Sequence, residues 1–540
     1  MRFVLCCLIA LYIACPAHAH DVATTAPSGI DRGLGPLHHP VSTRNAQAQE
    51  YFDQGLKLIF AFNHEAAIKS FERSIELDRN LAMAHWGIAL ALGPNINAPM
   101  DAKAHKAAYA ALQKAVALKP RASAAERAYI DALATRYSAD PEAPVGPLSV
   151  NYRDAMKKLV ARYAQDNDAA VLYAESMMDL NPWKFWAPDG TPAADTLEIV
   201  AVLERVLARA PRHIGANHYY IHAVEASPHP EKALAAAKRL ETLAPSAGHL
   251  VHMPAHVYIR TGDYLDAARA NIAAAAADER LAKSGVESFY LIGYYGHNLH
   301  FLAIANAFAG NSTQAIAAAR KLYAVQSPRI KEVPFVDGFL FTPALLLVQF
   351  GRWDDVLALP EPAFEAPISG ALWHFARVLA LAGKGSMNEA QAERAQFLEA
   401  AGALGKSIEY GNNTAPAIMA VARPYLDARL ALMRGDTTAA ITWFRQAVAA
   451  EDELVYDEPP AWYLPSRDGL GAALLRAGDF PAAEQVFRDE LAVHAQSGRA
   501  LFGLRATLVA QGHGQEARAV QQQFERAWRA ADVQLDATAL

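Results

Sequence analysis

The chain is 540 residues long, 53% hydrophobic and 20% charged, with a formal net charge of −6. That length exceeds one ordinary globular core, which seldom grows past about 250–300 residues, so several cores or one extended stack are expected. The acidic balance offers no basic face for phosphate neutralisation, and nucleic acid is not an expected partner.

In chain order, the first nineteen residues, MRFVLCCLIALYIACPAHA, carry an early cation at Arg2, an apolar run from Phe3 to Ala14 and a small-x-small ending at Ala17-His18-Ala19. This pattern predicts a signal peptide over residues 1–19, cleaved before His20, and a periplasmic or secreted protein. The apolar run is shorter than the roughly 20 residues a span needs, so no transmembrane segment is expected in the mature form. A lipoprotein signal ending at Cys15 fits poorly because Tyr12 stands three residues before the cysteine. All three cysteines, Cys6, Cys7 and Cys15, lie in this segment. The processed chain would then have no disulfide and no thiolate, so a bound metal must be held by imidazole, carboxylate or thioether.

Residues 20–45 lack periodicity and read as a flexible lead-in that includes His38 and His39. From residue 46 to 540 the chain is rich in alanine and leucine at helical spacing, strand-forming runs are scarce, and the fold class is all-α. Loops are predicted over residues 138–148 (SADPEAPVGPL) and 181–192 (NPWKFWAPDGTP), where turn residues cluster.

The stretch YFDQGLKLIFAFNHEAAIKSFERSIELD sets small and aromatic residues at Gly55, Ala67, Phe71 and Ser74, and the pattern returns at a fixed interval. Ala233 and Ala267 stand 34 residues apart, as do Ala483 and Ala517. This resembles the tetratricopeptide repeat (TPR) family, whose period is about 34 residues. The resemblance implies an α-solenoid of stacked helical hairpins over residues 46–540, each burying its apolar face against its neighbours.

Nine of the eighteen histidines beyond residue 19 lie between His213 and His300. With Ala233 and Ala267 set at the repeat's twentieth position, His218 and His222 take positions 5 and 9 of one first helix, and His252 and His256 the same positions of the next. His249 falls at position 2, Glu225 at 12 and Arg260 at 13; setting Ala315 likewise puts His297 and His300 at 2 and 5. Spacings of three and four keep such side chains on one helix face. The resemblance implies that these positions line the concave groove, so seven histidines are aimed at one place.

Imidazoles with at most one carboxylate suit copper, zinc, nickel or iron, while calcium and magnesium prefer oxygen. Seven exceed one tetrahedral site, so either some lie behind the ligands or two ions are held by about three imidazoles each. Copper is the first expectation and zinc the second. Glu225 is a candidate ligand, base or partner of a ligand imidazole, and Arg260 a candidate anchor for a substrate anion. The expected function is an exported metal-dependent enzyme, oxidoreductase before hydrolase, taking a small molecule or peptide in the groove. The rivals are a peptide-binding scaffold and a metal-binding protein without catalysis. Tyr219, Tyr258, Tyr290 and Tyr294 flank the histidines as expected packing residues, and the Trp183–Trp186 loop is expected to staple two repeats.

Overall fold

The computed structural model describes residues 29–285, 288–536 and 540. The predicted signal peptide and residues 20–28 lie outside them. The described chain is all-α and folds as a solenoid of antiparallel helical hairpins. Its only strands among the described residues are the two-residue pair Glu409–Tyr410 and Asn413–Thr414. None of the described helices is long and apolar enough to cross a membrane.

The first hairpin shows how the sequence starts its helices. Asn45 caps Ala46–Ile59 by accepting the Gln47 and Ala48 N–H groups, and Asn63 caps His64–Leu77 through the Ala66 N–H. Capping of this kind satisfies amide donors that no helical carbonyl can reach. Phe71 then lies between two first helices: a Cβ at Gly55 or at Gly87 would stand 2.5 Å from its ring. Phe487 lies likewise between Gly471 and Gly503. In these two repeats one buried ring is thus fitted by two glycines, one on its own hairpin and one on the next.

Two local expectations change. The segment predicted as a loop over 138–148 is already helical from Val145, because Pro147 sits in the first turn of Val145–Arg162, where its missing N–H costs nothing. Residues 29–45, part of the expected flexible lead-in, are docked along the first repeats. His39 Nδ1 lies 2.7 Å from Asp168 Oδ2, the His39 N–H donates to Asp53 at 3.0 Å, and the Ser42 N–H donates to Glu126 at 2.6 Å. Period-based reading misses such a segment because its order comes from polar contacts to residues as far as 215 positions away, as between Asp31 and Ser246.

The stack also closes on itself. Tyr264 donates its hydroxyl to the Ala495 carbonyl at 2.7 Å, and Asp532 accepts the Ser312 and Thr313 N–H groups at 2.7 and 2.9 Å. On the other side, the Asn97 amide donates to the Tyr294 hydroxyl at 3.1 Å. Distant repeats thus cover the first helices of the middle repeats, and residues expected along an open groove are enclosed.

Candidate metal centre

Three elements supply the central histidines. Ile214–Val224 carries His218 and His222, and Glu225 is its C-cap. The next first helix is split at Met253, because Pro254 has no N–H for the ladder, into Gly248–His252 and Pro254–Thr261. Gly248 lets this helix approach Asp278: a Cβ there would stand 1.9 Å from the carboxylate. Gly296–Phe308 carries His297 and His300, and it follows a π-helix over Leu291–Tyr295. A π turn shifts the register by one residue and is frequent at functional sites.

These elements bring six of the seven predicted histidines together in two groups of three, His218–His222–His249 and His252–His256–His297. Within each group, one ring nitrogen per residue lies within 4.8 Å of the others. The groups adjoin: ring centroids are 5.6 Å apart for His222 and His256 and 5.9 Å for His249 and His252. All six are buried except the half-buried His297. His300 is not among them; its ring packs 5.5 Å from Phe339 and 5.8 Å from Tyr463, and its Nε2 has no partner.

Hydrogen bonds fix which nitrogen of each ring faces inward. His218 Nδ1 donates to the Phe60 carbonyl at 2.7 Å, and His252 Nδ1 donates to Asn271 Oδ1 at 2.7 Å, while the Asn271 amide donates to Ala267. His222 Nδ1 donates to Glu225 Oε1 at 2.8 Å, and His256 Nδ1 donates to Glu225 Oε2. Every one of these acceptors lacks a proton to give, so the four neutral rings carry their lone pairs on Nε2. Among these four, His252 and His256 face each other, while His249, whose Nδ1 is buried without a partner, and His297 approach the others with an Nε2 that is free to donate. His252 and His256 meet Nε2 to Nε2 at 2.8 Å, His218 and His249 at 3.0 Å, and His297 and His256 at 3.5 Å. The His222 Nε2 is buried without a partner.

With both Nδ1 atoms engaged, the 2.8 Å contact of His252 and His256 needs a cation between the two Nε2 atoms, a metal ion or a proton. Imidazole nitrogens held about 2.0–2.1 Å from one tetrahedral ion stand about 3.3 Å apart, so the observed spacings suit shared coordination. These buried histidine groups could hold metal ions. Glu225 forms a further such group with His222 and His256, and its hydrogen bonds to their Nδ1 atoms set it behind one ring of each histidine group, the arrangement that fixes tautomer and raises ligand basicity.

The electrostatics agree. Burial holds His218, His249, His252 and His297 well below the usual imidazole range and lowers His222, so these rings stay in the neutral form that coordinates metal. Burial alone would raise Glu225, but the adjacent His256 and His222 imidazoles outweigh it and hold the carboxyl down at about 2.

Arg260 donates its Nε to the Glu225 backbone carbonyl at 3.2 Å and lies 5.6 Å from the centroid of the Tyr456 ring. It makes no salt bridge to Asp263, whose carboxylate accepts from Thr261. Reading by repeat register also missed several wall residues. Phe62 packs 4.6 Å from His218 and 5.4 Å from His249, and Phe301 lies 4.8 Å from both His252 and His256. Tyr294, already expected to flank the histidines, lies tilted at 4.5 Å from His249, and Trp183 of the expected stapling loop meets His222 edge-on at 5.2 Å. The Trp183–Trp186 loop staples as well, since Trp186 donates to the Ala223 carbonyl at 2.8 Å. Of the four non-glycine residues at positive φ in the described chain, two are Phe62 at 56° and Trp183 at 62°. Strained backbone of this kind tends to gather at functional sites.

No family model matches this chain, and no curated protein matches it. Solved structures that this chain matches include yeast Tom70, 13% identical over 89% of this chain and 97% of that one, with a TM-score of 0.33. Another is a human IFIT1 dimer with m7Gppp-AAAA, 12% identical over 88% and 95%, with a TM-score of 0.33. The P58(IPK) TPR domain is 13% identical over 87% of this chain and 100% of its own, with a TM-score of 0.20.

Proposed function

We propose that this chain is an exported metalloprotein that holds two transition-metal ions side by side, one in each group of three histidines, and uses them in oxidative catalysis. The observation that carries the reading is the Nε2-to-Nε2 contact of His252 and His256 at 2.8 Å, with both Nδ1 atoms already engaged as donors. The unpartnered His222 Nε2 supports it further.

Copper is the favoured metal. The six inward nitrogens carry no formal charge, and Glu225 behind them supplies the nearest negative charge. Two divalent ions would set a large positive charge between apolar walls, whereas univalent copper halves it. Imidazole suits copper as a ligand. Three histidines per group would hold each ion and leave room for one further ligand. Copper held there would supply electron-transfer chemistry at that position. This chain's residues orient the rings through Phe60, Asn271 and Glu225, and they exclude bulk water with Phe62, Phe301, Tyr294 and Trp183. Zinc is the second choice and would turn the same position toward hydrolysis.

The test is metal analysis of untagged protein isolated from cells, followed by reconstitution with copper(I) and with zinc. Two copper ions per chain, falling to one in a His218→Gln/His222→Gln variant that remains helical, is the expected result. Full occupancy in that variant would remove the site assignment.

A further inference from the structure

We infer that Arg260, Tyr456 and Glu458 form a subsite for the carboxylate of a small monoanionic ligand, placed at the edge of the histidine centre. The inference rests on the metalloprotein reading for the ligand's fate, but its own geometry is independent of any metal.

Arg260 is half-buried and reaches Glu225 only through Nε and the backbone carbonyl. Its two terminal nitrogens have no hydrogen-bond or ion-pair partner among the described residues. A guanidinium anchored at Nε and lying against an aromatic ring presents its remaining N–H groups as a fixed fork, the geometry that meets a carboxylate bidentately. The Tyr456 ring supplies that wall at 5.6 Å.

Glu458 is the second observation. It is 6% exposed, its Oε1 accepts the Tyr456 hydroxyl at 3.0 Å, and its Oε2 is buried without a partner. Burial pushes its carboxyl up to about 8, against the pull of Arg260. Near neutral pH it therefore keeps its proton and does not compete with an incoming carboxylate for the Arg260 guanidinium. Asp457 beside it is likewise pushed up to about 7 by burial. One guanidinium and one carboxylic acid match a planar monoanion; a phosphate dianion would need more positive charge than this edge contains. Glu225, tied to Arg260 through its carbonyl, places the subsite next to His222 and His256.

Butyrate and butyramide, titrated calorimetrically into the full chain with metal content measured in parallel, test this. The expected result is binding of butyrate and not of butyramide, weakened at least ten-fold in Arg260→Met with metal content unchanged, and weakened less in Arg260→Lys. If Arg260→Met does not fold, Arg260→Lys decides, with a loss of several-fold expected. Equal butyrate affinity in the Arg260 variants, or no butyrate binding by the parent protein, overturns the subsite. A protein that contains no metal yet binds butyrate in an Arg260-dependent way keeps the subsite and removes the metal reading.

Discussion

His252 and His256 face each other Nε2 to Nε2 at 2.8 Å across the break that Pro254 makes in their helix. Asn271 and Glu225 hold the far side of each ring, so neither imidazole can turn its other nitrogen inward without leaving a buried acceptor unpaired. Replacing both by glutamine is expected to remove one ion and leave the His218–His222–His249 group loaded. Metal analysis should fall from two ions to one per chain, with the circular dichroism spectrum unchanged. A fall to zero would mean that the two groups load only together.

Glu225 is expected to matter to both ions at once. Its two oxygens orient His222 and His256, one ring from each group. Glutamine keeps one acceptor oxygen but puts an N–H₂ where the other stood, so one Nδ1 loses its acceptor. Partners of this kind are worth about 10–100-fold in metal affinity. Competition with a graded chelator should show Glu225→Gln losing metal at correspondingly lower chelator concentration, and an unchanged competition curve would make Glu225 a packing residue.

The hairpins and the phase of the histidines were legible in the sequence because both follow the helical and repeat periods, as Ala233, Ala267 and the His218–His222 spacing illustrate. Those periods say which face a residue occupies, not what comes to cover that face. Phe62, Trp183, Tyr456 and Glu458 come from turns and long connections, where no period operates. Their approach depends on how far the stack curls back, which contacts such as Asn97 to Tyr294 determine across 197 positions. His300 shows the opposite limit: it is in phase with His297, yet one helical turn further on its ring packs against Tyr463 instead.

Away from the centre, Glu451 and Asp468 are pushed up to about 7 and Glu490 to about 8, each by burial. Below the ordinary glutamate value of about 4.3 the folded and unfolded chains both hold the Glu490 proton. As pH rises from there toward 8, the unfolded state releases the proton and the folded state does not, so folding stability falls with pH across that window. Glu490→Gln abolishes the titration while keeping an acceptor for His494, which lies 2.6 Å from Oε1. Urea unfolding at about pH 8.5 is expected to show the variant more stable than its parent by about 1 kcal/mol or more, since each tenfold weakening of proton release on folding is worth about 1.4 kcal/mol. At about pH 4, where both states are protonated, the difference should vanish. A constant difference at both values would mean that packing, not the proton, is responsible.

Phe62 gives a prediction in which the usual order of two substitutions reverses. Its φ is 56°, a left-handed conformation that costs a non-glycine residue about 1–3 kcal/mol. Its ring covers the His218–His222–His249 group. Phe62→Ala removes the ring but keeps a Cβ in the strained conformation, so the cavity and the strain add. Phe62→Gly removes the ring and relieves the strain, since glycine adopts positive φ without cost. In most positions glycine is the less stable of the two; here the glycine variant is expected to unfold at higher denaturant than the alanine variant, by about 1 kcal/mol. Both should release metal to a chelator faster than the parent, because both open the same wall. Alanine more stable than glycine would show that the surrounding turn relaxes to negative φ once the ring is gone.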